Sequence, residues 1–511
     1  MDNRQISVAE RYHNDTKHTH ARVNTSHHTL DWANQPLPFK IYGTLDAISL
    51  PRTVEPTGVP ALDAVAGENV GPWRGTPDVP TLARLLYLSA GITKVKRHPG
   101  GETFFRAAAC TGALYHVEVY LACGDLAGLP AGIYHFAPYD FALRRLRSGD
   151  WRRVLVEATG DEPLLASAPV VLILTSTFWR NSWKYQARAY RHAFWDSGTI
   201  LANLLATAGA SRLPARLLLG FADRPVNQLI GVDPEREVAV ALVALGQDAV
   251  PPSGFPGPLS PLEYETEPLS VSEVDYPIIR EMHDASSLRT GADANVWRAE
   301  VDNLGGRRPL SDRTVPLLSG GPSERPAEVL EDVIARRGST RNFARLPITF
   351  AQLSTALEVA TGPLSADFER SDRPQLNDLY VIANAVDGLD PGAYVYDREG
   401  RALVPLRSGD LREQAGYLAL MQDLAADASV NVYMLCDLAA ALNRFGNRGY
   451  RAAQIEGGLL GGRLYLSAYA LGLGATGLTF FDDDVTQFFS PDAEGKSVMF
   501  LSALGRAARR L

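Results

Sequence analysis

The sequence predicts an α+β protein in which two copies of one domain, each a mostly antiparallel sheet flanked by helices, close on each other as a pseudo-dimer within a single chain. Three observations carry this expectation. The pentapeptide LRSGD at Leu146–Asp150 returns unchanged at Leu406–Asp410, an offset of 260 that other pairs share. Helical and alternating apolar patterns follow one another in the same order in both halves. Between the halves lies a stretch rich in Pro, Gly and Ser, the composition of a surface connection.

The offset persists along the chain. GLPAGIY at Gly128–Tyr134 faces GLDPGAY at Gly388–Tyr394, Tyr120 faces Tyr380, Tyr190-Arg191 faces Tyr450-Arg451, Gly198 faces Gly458, and Phe221 faces Phe481. After one deletion, LVALG ending at Gly246 meets LSALG ending at Gly505. Such a register marks a tandem repeat, which has to be recognised before elements are assigned. The expected divisions are an N-terminal arm at 1–70, a first copy at 71–250, a connecting segment at 251–325 and a second copy at 326–511.

Taken in order, each copy opens with a helix (Thr81–Gly91; Phe350–Thr361) and an alternating strand (Leu114–Cys123; Leu376–Ala385). A hairpin strand carrying Gly and Tyr follows, then a central apolar strand (Ala168–Thr175; Ser429–Cys436), a long helix (Lys184–Ala208; Tyr450–Leu471) and a terminal strand. In the long helices Leu201, Leu204 and Leu205 recur at core spacing. GGLLGG at Gly457–Gly462 falls inside a helix and is therefore no dinucleotide fingerprint. Four helical glycines cost about 1 kcal/mol each relative to Ala, which points to close approach of another backbone. The connecting segment opens PPSGFPGPLSP, yet Tyr276, Ile278 and Trp297 in its middle favour packing over a free spacer.

Composition narrows the function. With 46% hydrophobic and 21% charged residues the chain can bury a large core, and its net charge of −8 argues against a nucleic-acid surface. Neither a signal-peptide pattern nor a run of ~18 apolar residues is present, so no membrane contact and a cytoplasmic location are expected. Cys110, Cys123 and Cys436 are too few and scattered for a disulfide framework. His13, His18, His20, His27 and His28 fit no HExxH or Cys/His spacing, so the N-terminal segment reads as a polar arm and no metal site is expected.

Differences between the copies locate chemistry. The second copy contains ARRGSTRNF at Ala335–Phe343, where Arg337, Ser339 and Arg341 alternate and can converge on a phosphate. The first copy's GPWRGTPDVPT lacks that triplet. The first copy has RAAACTGALYH at Arg106–His116, small residues whose backbone could approach a flat ligand closely; the second has RSDRPQLNDLY there. Before the long helix, WKYQARAYR in the first copy faces NRFGNRGYR, so Lys184 becomes Arg444 and Tyr185 becomes Phe445. Arg stays protonated and Phe has no hydroxyl, so only the first copy keeps groups that exchange a proton. The motifs complement one another, which implies one composite site.

At these residues the sequence resembles the nitroreductase-like flavoprotein superfamily, and within it the SagB/ThcOx-type dehydrogenases that oxidise thiazoline and oxazoline rings of peptide natural products. ARRGSTRNF resembles that superfamily's FMN-phosphate motif, RAAACTGALYH its flavin-ring loop, and GLGATGLTFFDDD at Gly472–Asp484 its second ring-contacting loop. The opening RYHNDTKHTH and LDWANQPLPFKIY resemble the leader of longer SagB-type chains. Cys110, Thr111 and His116 depart from the family's Pro-Ser and Pro positions, whereas Lys184-Tyr185 matches the pair assigned to azoline oxidation.

The resemblance implies tandem nitroreductase-like domains with one FMN. Its phosphate would lie on Arg337, Ser339 and Arg341, with Arg506 a further candidate, and its ring against Arg106, Cys110, Thr111, Gly112, Gly477 and Leu478. Lys184 and Tyr185 would be catalytic, removing the ring proton while flavin takes the hydride. Implied partners are a peptide or peptide-like substrate and other biosynthetic enzymes, and further pairing into a homodimer stays open. Two alternatives also stay open: an NAD(P)H-dependent nitro, quinone or enamide reductase, and a degenerate flavoprotein that scaffolds a biosynthetic complex. Without the resemblance, Lys184-Tyr185 is a solvated charge beside a packed ring and RRGSTR an exposed basic turn.

Overall fold

The computed structural model describes residues 2–53, 55–67, 75–99, 101–247, 252, 254–255, 257–303, 314–318, 326–369 and 376–508. Residues 71–74 of GPWRGTPDVPT and 370–375 of RSDRPQLNDLY lie outside them.

Two seven-stranded antiparallel sheets with the same strand order form the two copies. In the first the spatial order is Ala47–Ser49, Ala142–Ser148, Gly132–Ala137, Val117–Cys123, Val170–Thr177, Glu237–Leu245 and Ala215–Leu218. The second runs Val315–Pro316, Ala402–Ser408, Gly392–Asp397, Asn377–Ala383, Val430–Cys436, Ser497–Gly505 and Gly474–Gly477. The central strand VVLILTST is buried at all eight positions because helices cover both faces, and its β-branched residues suit that pleated interior. The α+β class and paired architecture are therefore as the repeat predicts.

The long helices Ala189–Ala210 and Arg448–Ala470 pack together at the pseudo-twofold. A Cβ on Gly198 would lie 2.5 Å from Leu459 N, and one on Gly458 would lie 2.5 Å from Trp195 O. At that separation only glycine fits between the two backbones, and the GGLLGG run thereby has its physical reason.

Charge pairing across the copies is reciprocal. Arg188 and Arg191 of the first copy donate to Asp482 of the second, while Arg448 and Arg451 of the second donate to Asp223 of the first. All six groups are buried. Each carboxylate thus pairs with two guanidiniums that the other copy contributes.

Two expectations are corrected. The helix read as Lys184–Ala208 is two: Phe178–Tyr185 ends, the chain turns at Gln186 with φ 49°, and the long helix starts at Ala189. Apolar periodicity runs through the break and hides it, although the second copy places Gly446 (φ 68°) at the same point. The polar arm is partly core, since the helix Ser7–Asp15 inserts Tyr12 between the Tyr190 and Tyr450 rings, edge-on at 5.6 and 5.7 Å. The connecting segment forms the helices Pro277–Ala285 and Gly291–Ala299 and buries Trp297. Among the described residues no helix is long and apolar enough to cross a membrane.

Candidate functional site

The strand Gly101–Arg106 delivers the chain into the loop Arg106–His116. Arg106 is buried and anchors its start, donating to Pro38 O at 2.8 Å and Val117 O at 3.3 Å, with its guanidinium over the Phe39 and Tyr115 rings. Further on, Asp196 of the long helix accepts from Thr111 N and Oγ1, from Cys110 Sγ at 3.1 Å and from His116 Nε2 at 2.8 Å. Burial, Asp196 and its hydrogen bond push the Cys110 thiol well up, so the free thiol is protonated near neutrality. Gly112 has φ 63°, and a Cβ there would sit 2.7 Å from the Tyr185 hydroxyl. The loop therefore presses on Tyr185 with no room for a side chain.

Lys184 and Tyr185 occupy the last turn of Phe178–Tyr185, just before the Gln186 break. The Lys184 ammonium lies 5.4 Å from the centre of the Tyr185 ring, whose edge meets His192 at 4.6 Å. Burial pushes the Tyr185 phenol up, Asp196 and Cys110 add to this, and Arg341 of the second copy pulls the other way.

From the other side, the second copy reaches the same loop. Its helix Leu330–Arg336 ends and the chain extends, so Arg337 Nε donates to Ala107 O at 2.8 Å and Nη2 to Arg106 O at 3.0 Å. Ser339 Oγ lies 3.3 Å from the Tyr465 hydroxyl, which also accepts from Gly477 N at 2.5 Å. Leu478 N donates to Leu501 O, and Thr479 Oγ1 is buried without a partner among the described residues. Arg341 is exposed; Arg506 is exposed too and donates to Pro347 O at 2.9 Å.

One loop thus touches Arg337 at its start and Tyr185 at Gly112. Residues from RRGSTR, RAAACTGALYH, WKY and GLGATGLTFF share one region of the interface, with Arg506 turned toward another carbonyl. Tyr465, which ties the Ser339 segment to Gly477, escaped the sequence reading; its signal was the copy difference Leu205 against Tyr465.

The mirror position is filled by the chain itself. Asp367 accepts from Leu219 N and Gly220 N, both at 2.8 Å. Trp297 packs against Phe445, the counterpart of Tyr185, at 5.1 Å and donates to Phe445 O. A Cβ on Gly220 would meet Asp367, Arg298 and Trp297 within 3.1 Å.

Residues 88–247 and 334–506 each match the nitroreductase family. A protein of Anabaena variabilis assigned as a nitroreductase superposes with a TM-score of 0.77 and 26% identity, over 98% of this chain and 99% of its own. MJ1384 of Methanocaldococcus jannaschii, also assigned as a nitroreductase, is 28% identical over 166 residues, 31% of this chain and 82% of its own. The microcin B17-processing protein McbC of Escherichia coli is 28% identical over 137 residues, 26% of this chain and 50% of its own length.

Proposed function

The chain belongs to the nitroreductase family, and from that premise we propose that it is an FMN-dependent dehydrogenase of the SagB/ThcOx type. It oxidises an azoline in a peptide or peptide-like substrate to the azole during natural-product biosynthesis. The observation that carries this reading is the contact of Arg337 from one copy with the loop whose Gly112 presses on Tyr185 of the other. Similarity to McbC, a microcin B17-processing protein, supports a peptide substrate.

The residues present fit an anionic flavin. Arg337 is half-buried, and among the described residues its guanidinium bonds to carbonyls with no carboxylate paired to it. An anion such as the FMN phosphate, with Ser339 and Arg341 nearby, would offset that charge. Among the described residues Thr479 Oγ1 is buried and unpartnered in the second loop, whereas the equivalent stretch of the mirror position is capped by Asp367. This asymmetry supports one FMN per chain. Ring contacts would come from the loops carrying Cys110, Thr111, Gly112, Gly477 and Leu478, with Arg106 anchoring the first of them. Bound flavin supplies the two-electron acceptor that side chains lack.

The protein's own part is proton handling and exclusion of water. A phenol held above its ordinary value stays protonated near neutrality, so Tyr185 orients and donates. Lys184 would act as the neutral amine, its lone pair taking the proton from the ring carbon while the C–H electrons stay on the ring. Other biosynthetic enzymes and a cytoplasmic location belong to the same reading.

The test is anaerobic mixing of the purified yellow protein with an azoline-bearing peptide or with NAD(P)H. The azoline should bleach the flavin and leave a product lighter by two hydrogens, with turnover about 100-fold or more slower in Lys184→Ala. Rapid bleaching by NAD(P)H alone would favour a reductase of nitro, quinone or enamide groups. Colourless protein that cannot be reconstituted with FMN would leave only the scaffold.

A further inference from the structure

Cys110, His116 and Asp196 each offer a ligand atom within 4.8 Å of the other two. We propose that they form a binding site for a divalent transition-metal ion, with zinc as the reference, in the loop between the two copies. This inference does not depend on which substrate the flavin site takes.

The donor set is the first reason. Thiolate, imidazole and carboxylate together suit zinc or a neighbouring first-row ion and not calcium or magnesium, and three protein ligands leave a fourth position for water. Burial is the second. The His116 side chain is fully buried and that of Asp196 is 5% exposed, with Cys110 half-buried, so the donors are largely withdrawn from solvent. Orientation is the third: His116 Nδ1 lies 2.9 Å from Ser176 Oγ, the outer hydrogen bond that fixes a ligating imidazole.

The repeat separates this role from simple tethering. In the second copy Glu456, the counterpart of Asp196, accepts from Leu376 N at 3.1 Å and Asn377 N at 2.7 Å. Among the described residues Glu456 also accepts from Asn377 Nδ2 at 3.1 Å, and Leu376 stands at the position of His116. A thiol and an imidazole on this carboxylate are therefore particular to the first copy. In the present contacts Cys110 Sγ donates to Asp196 Oδ2 at 3.1 Å and His116 Nε2 lies 2.8 Å from the same oxygen. Zn–S near 2.3 Å and Zn–N or Zn–O near 2.0 Å require these atoms to part by a few tenths of an ångström and to release the thiol proton. The ion would then staple the loop that carries Gly112 to the long helix.

The full-length flavoprotein is equilibrated with zinc, washed with a weak chelator, and examined by elemental analysis and zinc-edge X-ray absorption. About one zinc per chain is expected, with one sulfur scatterer near 2.3 Å. Retention should fall at least ten-fold in Cys110→Ser and in His116→Gln, and affinity about 10- to 100-fold in Ser176→Ala. It should persist when the exposed His20, His27 and His28 are replaced together by Ala. Failure to retain zinc, zinc without sulfur, retention unchanged in both ligand variants, or loss on removing the arm histidines would each overturn the proposal. Should Cys110→Ser not fold, the sulfur signal of the unmodified protein still decides.

Discussion

Asp223→Asn tests how the two copies are joined. Asp223 Oδ1 accepts from Arg451 Nη1 at 2.7 Å; its Oδ2 accepts from Arg448 Nη1 at 2.6 Å and Leu288 N at 2.9 Å. Burial alone would push this carboxyl up, but the Arg448 and Arg451 guanidiniums outweigh it and hold it down at about 2. A drop from about 3.9 in the unfolded chain corresponds to roughly 2–3 kcal/mol of pH-linked stability. Because the folded value is the lower one, that stability is present above about pH 4 and is lost as the pH falls toward 2. The amide leaves two buried guanidiniums facing a neutral group, a defect worth about 3–5 kcal/mol. Urea unfolding at pH 7, followed by tryptophan fluorescence and circular dichroism, should register that loss. Asp482→Asn, the reciprocal change, should act similarly. Between pH 5 and 3 the Asp223→Asn variant should also lose about 1 kcal/mol less than the unmodified protein. A destabilisation below about 1 kcal/mol at pH 7 would refute the claim that one carboxylate holds both arginines.

Gly458→Ala should cost about 1–3 kcal/mol or more, because the new methyl meets Trp195 backbone at 2.5 Å. Gly209→Ala in the partner helix, where nothing lies within 4 Å, should instead gain up to about 1 kcal/mol in urea unfolding. Gly112→Ala meets both φ 63° and the Tyr185 hydroxyl at 2.7 Å; turnover with the chain still folded should drop about 100-fold, since small displacements of reacting groups are that costly. Gln186→Gly relieves a left-handed conformation at φ 49°, and a rise of about 1 kcal/mol in unfolding free energy is expected. An unchanged or lower midpoint would mean that the Gln186 bond to Tyr276 outweighs the strain.

Much of the architecture is legible in linear order. The offset of 260 and the recurring periodicities announce two like domains, and GGLLGG announces a backbone crossing, because repetition and glycine cost are properties of the string itself. The break at Gln186 is not legible from periodicity, since its neighbours continue a helical pattern. Only comparison with Gly446 hints at it. Tyr465 is visible as a copy difference, but its bond to Gly477 N is not.

By itself, then, the sequence determined the repeat, the fold class and the motifs that one copy keeps and the other lacks. Tertiary structure alone decided who meets whom. The pairing of Asp223 with Arg448 and Arg451, the filling of the mirror position by Asp367 and Trp297, and the convergence of Cys110, His116 and Asp196 join residues separated by tens to hundreds of positions. Side chains so far apart leave no spacing signature; the helix crossing at Gly198 and Gly458 sets the interface that brings the two copies' charges together.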